Sequence, residues 1–257
     1  MRIKFLVLCL ALSFAVSCAL AQDSIKREQN QLFYNANGYY EKQDYQKALD
    51  EYLKIPAMGL KSGNLYYNIG NTYLKLGKLG SAILYYERAR RIMPQDGDLR
   101  SNLAYAKSMV GTTASQAPAQ NAVIFAIKAP FNELNMNKLT ALLLILYFCI
   151  ILLFTVIILK PMVTRKLKVP AVILGIIFSV TSASFAVRLY EEEIVKRAVV
   201  IVKEAEARYE PIDKSTVYYK LQEGDEVSVL KTKTGWRQVR RLDGKVAWVP
   251  VESTDLI

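Results

Sequence analysis

Histidine is absent from the 257 residues of the chain. That absence excludes imidazole acid–base catalysis, Ser-His-Asp triads and histidine-bearing zinc sites. Cysteine is scarce: Cys9 and Cys18 fall in an apolar leader and Cys149 in a later apolar run, so the chain without its leader can form no intrachain disulfide. No Ser-x-x-Lys or paired-carboxylate constellation is tied to a recognisable catalytic fold. The chain is therefore not expected to be an enzyme, and no metal or cofactor is expected.

A strongly basic domain is also missing, although the net charge is +11. Residues 22–110 carry 13 basic and 9 acidic side chains, and residues 188–257 carry 13 of each. The surplus lies partly in the leader and partly in one short segment between apolar runs, which speaks against nucleic-acid binding.

What the chain has instead is apolar sequence gathered into three runs. In the first, Arg2 and Lys4 precede an apolar stretch over 5–16 and the small-x-small triplet Ala19-Leu20-Ala21. This is the pattern of a secretory signal peptide over residues 1–21. A competing pattern, lipidation of Cys18, lacks the usual leucine three residues upstream. The second run, 139–159, has 21 uncharged residues, and the third, 169–187, has 19 with Pro170 at its start. Each is long enough to cross the roughly 30 Å hydrocarbon core of a bilayer, so membrane helices are expected over 138–160 and 169–188. Ser179, Thr181, Ser182 and Ser184 mark the second of these as a helix with a packed face.

Residues 160–168 between the runs hold four basic and no acidic side chains. The positive-inside rule makes the loop 161–168 cytoplasmic. The domains on both sides then face the periplasm, in a two-pass protein of the inner membrane. The acidic run 191–193 reads as a solvated exit from the second span.

The segment 22–110 repeats itself at a spacing of 34 residues. Ala36 and Gly70, Tyr39 and Tyr73, Ala48 and Ala82, and Tyr52 and Tyr86 all pair at that offset. A fixed period of this length marks stacked helical hairpins. Residues 63–96 closely resemble the tetratricopeptide repeat, with Tyr66, Ile69-Gly70, Tyr73, Ala82, Tyr86, Ala89 and Pro94 at its signature positions. The first copy, 29–62, departs at Asn35. A third begins at Asp98 but carries Lys107 where tyrosine is expected, and reads as a polar cap helix.

The resemblance implies a concave groove lined by the first helix of each repeat, where Phe33, Asn37, Tyr67, Asn68, Asn71 and Arg100 would meet a protein partner. Asn37 and Asn68 match two positions of the carboxylate-clamp subset of that family. The clamp's cations would fall at Phe33, Asp98 and Asn102, none of them basic. The tyrosines read as packing, whereas the asparagines read equally as groove contacts or as plain surface.

Residues 111–137 form a linker rich in Ala, Thr, Ser and Gln. Beyond the second span the composition turns to alternating β-formers over 198–202, 216–220, 226–230, 236–240 and 246–249, separated by turn signals such as Asp243-Gly244. Five short strands predict a small all-β barrel over 195–257. Leu221-x-x-Gly224-Asp225-x-Val227, Gly235-Trp236-x-x-Val239 and Asp243-Gly244-x-x-Ala247-Trp248-Val249 resemble bacterial SH3-type domains, which implies binding of cell-wall peptide or protein. Tyr218, Tyr219, Trp236 and Trp248 form the expected aromatic surface. The two tryptophans serve equally well as core.

The whole order is therefore a multidomain membrane protein: signal peptide, tetratricopeptide array, two spans and an SH3-like barrel. It resembles the BatE-type proteins of the Bacteroides aerotolerance system. That resemblance implies an envelope scaffold whose partners are von Willebrand A-domain proteins and a MoxR-type ATPase. A peptidoglycan anchor acting through the SH3-type domain is the alternative.

Overall fold

A computed structural model describes residues 2–110, 122–160, 164–191 and 195–257, with only the backbone described for 2–21 and 164–166. The linker residues 111–121, the loop residues 161–163 and the acidic pair Glu192-Glu193 lie outside that description, and of the leader's cleavage motif only the backbone is described.

Five helices build the repeat array: α1 (Arg2–Glu41), α2 (Tyr45–Ala57), α3 (Gly63–Lys75), α4 (Leu79–Ile92) and α5 (Gly97–Met109). Their starts are written locally. Asp44 and Asp96 cap α2 and α5 by accepting from the backbone N–H groups of Lys47 and Leu99. The array's core is Tyr52, Ile55, Leu65, Ile69, Ile83, Leu84, Tyr86 and Leu99, all buried. Gly70 is glycine because the Tyr86 ring stands 2.6 Å from where a Cβ would sit. The two helices of that hairpin therefore approach closely, as its small residues predict.

A short helix α6 (Ala122–Lys128) and a 3₁₀ turn (Ala129–Phe131) lead into α7 (Met136–Leu159), which packs against α8 (Thr164–Leu189). Both α7 and α8 contain stretches long and apolar enough to cross a membrane. Thr181 and Ser184 fall on the buried seam with Leu139 and Leu146, whereas Ser179 faces outward. The seam is locked at one end, where Arg188 donates to the carbonyls of Leu134 and Phe131.

The C-terminal domain is one antiparallel sheet of seven strands in the order β3-β2-β6-β5-β4-β1-β7. These are β1 (Arg197–Val200), β2 (Glu204–Arg208), β3 (Val217–Gln222), β4 (Glu226–Lys233), β5 (Trp236–Arg240), β6 (Val246–Pro250) and β7 (Thr254–Leu256). Two more strands form than the β-formers alone predict. The sequence of β2, Glu-Ala-Glu-Ala-Arg, is built from residues depleted in strands, and tertiary pairing with β3 overrides that preference. The other, β7, is three residues long and pairs with β1. Ala198, Val200, Ala205, Leu221, Val227, Val239 and Val249 fill its core.

The two domains form one packed body. Val199 of β1 is buried in the repeat array's core cluster, with Ile201 and Ile257 against it. Lys78, at the N-cap of α4, supplies no side-chain cap. Glu223 of the β domain does so instead, its Oε1 accepting from Gly80 N–H at 2.8 Å, where the helix dipole favours a carboxylate. At the same contact a Cβ on Gly80 would lie 2.4 Å from the Val200 carbonyl oxygen. A Cβ on Gly224, which has φ +84°, would lie 2.8 Å from Ile83 Cδ1 and 3.1 Å from Val110 Cγ2. Farther along α4, Arg88 donates to the Leu256 carbonyl and pairs with Asp255 at 3.2 Å.

A buried charge network closes this junction. Glu87 on α4, its side chain 1% exposed, meets Arg90 at 2.6 Å and Lys107 of α5 at 2.7 Å; Lys107 also meets Glu226 of β4 at 2.5 Å. Lys107 is the residue that breaks the tyrosine pattern of the third repeat. Its ammonium is the bridge between α4, α5 and the sheet.

Candidate partner-binding site

The helix-A asparagines stand in register. Asn37 Oδ1 accepts from the Tyr52 hydroxyl at 2.5 Å and, 34 residues on, Asn71 Oδ1 accepts from the Tyr86 hydroxyl at 2.7 Å. Each also receives an amide from the next repeat: Asn68 Nδ2 reaches Asn37 at 3.4 Å, and Asn102 Nδ2 reaches Asn71 at 3.0 Å. One unit, asparagine to tyrosine within a hairpin and asparagine to asparagine across to the next, is thus used twice. It fixes the angle between repeats. Asn102 belongs to this ladder although its position in the clamp pattern gave it no role; the offset from Asn68 is the sequence signal that marks it.

Burial gives the ladder its strength. Desolvation pushes the Tyr52 hydroxyl up to about 12 and raises that of Tyr86 further still, so both remain neutral donors. Tyr86→Phe removes the donor and leaves Asn71 to Asn102 alone. A loss of about 1 kcal/mol is expected in chemical denaturation, with no change of shape. An unchanged midpoint would show that the ladder is ornamental.

The ladder leaves donors free. Among the described residues, Nδ2 of Asn37 and of Asn71 bonds to nothing within the chain. A cavity of about 110 Å³ opens beside them, lined by Asn37, Tyr40, Glu41, Tyr52, Asn68 and Asn71. Phe33 lies edge-on to Tyr52 at 5.8 Å, and the Tyr67 hydroxyl accepts from Asn102 at 2.9 Å. Five of the six sequence-derived groove residues thus adjoin the ladder. Arg100 does not: it lies on α5 at the wall of a separate basic cavity.

Where the ladder runs out of neighbours, tyrosines replace asparagines. Tyr34 occupies the register position of Asn68 and Asn102, and Tyr105 that of Asn37 and Asn71. Lacking a partner repeat, they are 74% and 56% exposed. Large exposed aromatics flanking free amide donors suit a bound peptide.

The aromatic set of the β domain divides. Tyr218 and Tyr219 are 5.2 Å apart and are joined by Tyr209, which is 4.5 Å from Tyr218. Arg241 stacks over Tyr219 and Lys245 over Tyr218. Trp248 is buried beneath Lys231, and Trp236 is half-buried at the start of β5, opposite Pro250. Among the described residues no ring contact joins either tryptophan to the tyrosines. Tyr209 sits outside the motif that singled out the others, and only the β2–β3 pairing brings it to them.

Residues 63–96 match the tetratricopeptide repeat family model, and residues 202–255 match that of the bacterial SH3 domain. The chain carries both modules. The first suggests protein–protein interaction and the second cell-wall binding. No curated protein matches the chain.

Proposed function

We propose that this protein is a two-pass scaffold of the inner membrane, its two modules held in the periplasm as one rigid body with the repeat groove free for a protein partner. The observation that carries this reading is the junction itself. The β domain covers α4 and the end of α5, and leaves Tyr34, the asparagine ladder and Tyr105 uncovered. A partner segment therefore meets a preformed surface, and tethering at the membrane raises its effective concentration.

The domain order supports placing the protein in a BatE-type aerotolerance complex, with von Willebrand A-domain proteins and a MoxR-type ATPase as partners. A second reading has an observation of its own. The patch of exposed Tyr209 and Tyr218 with half-buried Tyr219, on which Arg241 and Lys245 stack, suits a saccharide-peptide surface, as a wall anchor would need. On either reading the protein positions other molecules and catalyses nothing.

Detergent-solubilised full-length protein, captured from its own membranes and analysed by mass spectrometry, separates the two. Tyr34→Ala with Tyr105→Ala is expected to lose the protein partner by tenfold or more, in the manner of exposed aromatic hot spots (about 2 kcal/mol or above). Tyr218→Ala with Tyr219→Ala should retain it. Wall fragments alone, recovered equally from the groove variant, would contradict the scaffold reading and leave the β domain as the working part.

A further inference from the structure

A second cavity, of about 630 Å³, opens where the repeat array meets the ends of the apolar helices. Its walls come from the end of α4, from α5, from α6 and the turn before α7, from the last turn of α8 and from β1. Among the described residues fourteen line it, of which seven are arginine or lysine and two are glutamate. Some of that charge is already answered: Arg90 and Lys107 by Glu87 and Glu226, and Lys128 by Glu191 at 2.5 Å.

Four arginines are left, and one of them, Arg91, donates to the Ile257 carbonyl at 2.8 Å. Among the described residues the Arg100 side chain forms no ion pair or hydrogen bond. Arg197 stands 4.0 Å from Glu226, which Lys107 already occupies. Arg188 is 8% exposed and, among the described residues, donates only to backbone carbonyls and pairs with no carboxylate. A buried guanidinium without a counter-ion is costly, and an anion entering the cavity removes that cost.

Position selects the anion. Arg188 closes the last turn of α8, and Asn132 and Glu133 lie in the turn before α7, so the cavity sits at the level where two spanning helices leave the hydrocarbon. Beside it, Val123 and Phe125 of α6 are 65% and 55% exposed. Apolar residues held outward at that depth belong in the acyl boundary of a bilayer. Phe125 also lines the cavity, giving it one apolar wall toward the lipid side. Guanidinium forks bind phosphate oxygens in pairs.

We propose that this cavity binds the phosphate headgroup of an anionic phospholipid, with Arg100, Arg188 and Arg197 on the phosphate and α6 against the acyl chains. The site rests on reading α7 and α8 as spans and is independent of the partner groove. It would seat the rigid body at a fixed height and orientation on the membrane.

Full-length protein in detergent is titrated with phosphatidylglycerol, with phosphatidylcholine and with soluble glycerol phosphate, and bound lipid is read by native mass spectrometry and thermal shift. Phosphatidylglycerol is expected to stay bound and raise the melting temperature, and phosphatidylcholine to do neither. Arg100→Glu should weaken the anionic lipid on the order of tenfold, since each basic side chain near a lipid surface contributes a comparable factor. Lys61→Glu, an exposed reversal elsewhere on the array, should change nothing, and the Tyr34/Tyr105 groove variant should bind lipid normally. Equal affinity for the two lipids, an unaffected Arg100→Glu, or glycerol phosphate binding as tightly as the lipid would each overturn the proposal. Release of the protein from membranes by alkaline carbonate would instead overturn the spans, a distinct failure.

Discussion

Gly80→Val is expected to part the β domain from the repeat array. The added Cβ would lie 2.4 Å from the Val200 carbonyl oxygen and 3.1 Å from the Ile201 Cα, both backbone and unable to yield. It would also displace Glu223 from the N-terminus of α4. Overpacking of this kind costs about 2–3 kcal/mol, and losing the cap adds about 1 kcal/mol. The register-equivalent position in the first repeat is Gln46, exposed and far from the sheet, and Gln46→Val should cost only the small helix-propensity penalty of a β-branched residue. Limited proteolysis reads the difference: the Gly80 variant should be cut quickly between residues 192 and 203, the Gln46 variant at the wild-type rate. Equal protection would mean that the junction tolerates separation, and the rigid-body account would be wrong.

Lys107→Met should be the most damaging single change in the charge network. It leaves Glu87 nearly solvent-free with Arg90 alone, and leaves Glu226 facing Arg197 at 4.0 Å. Removing one partner of a buried pair costs about 3 kcal/mol, because the other charge remains desolvated. The pH dependence identifies the cause. Burial pushes the Glu87 carboxyl up, but Arg90 and Lys107 outweigh it and hold it below its ordinary 4.5. Its contribution is therefore complete above pH 4.5 and is lost as pH falls through the lowered folded value. Burial presses the Lys107 ammonium down, but Glu87 and Glu226 raise it above 10.5; its contribution is complete below that value and is lost as pH rises through the raised one. Denaturation midpoints across pH should thus show an acid limb in the wild type. In Lys107→Met the limb should flatten, because burial then lifts the Glu87 carboxyl toward its unfolded value. An acid limb unchanged by the substitution would assign the acid sensitivity to other carboxylates.

The elements were legible wherever periodicity is local. The 34-residue offset, the two uncharged runs and the alternating strands each follow from residues close in sequence, and Gly70 against Tyr86 is the contact that small-residue spacing implies. The strand β2 was not legible because its alternation of alanine and glutamate carries no β-former, and its pairing with β3 decides it. The junction was not legible as a contact at all, since Gly80 and Glu223 lie 143 residues apart. Yet its footprint was present as departures from the repeat. Gly80 stands where the first repeat has Gln46, Glu87 where it has Leu53, and Lys107 where both earlier copies have tyrosine. Each departure is a residue that touches the β domain or closes its charge network.

The candidate site followed the same division. Asn37 and Asn71 were readable as a register pair, and the structure adds that their oxygens hold neighbouring repeats together while their amide nitrogens bond to nothing among the described residues. Arg100 belonged by family pattern to the groove, but α5 carries it to the basic cavity beside the apolar helices. The tryptophans could not be assigned from sequence because a small sheet needs large residues in both core and surface; Trp248 went inside, and the exposed aromatic patch formed from tyrosines.

A preformed groove requires that the repeat array and the β domain move as one body. Spin labels at Gln46→Cys and Lys233→Cys, in full-length protein with Cys9, Cys18 and Cys149 replaced by alanine, measure this directly by pulsed dipolar spectroscopy. A single narrow distance distribution that broadens in the Gly80→Val background is the predicted result. A broad distribution already present with Gly80 intact would contradict it.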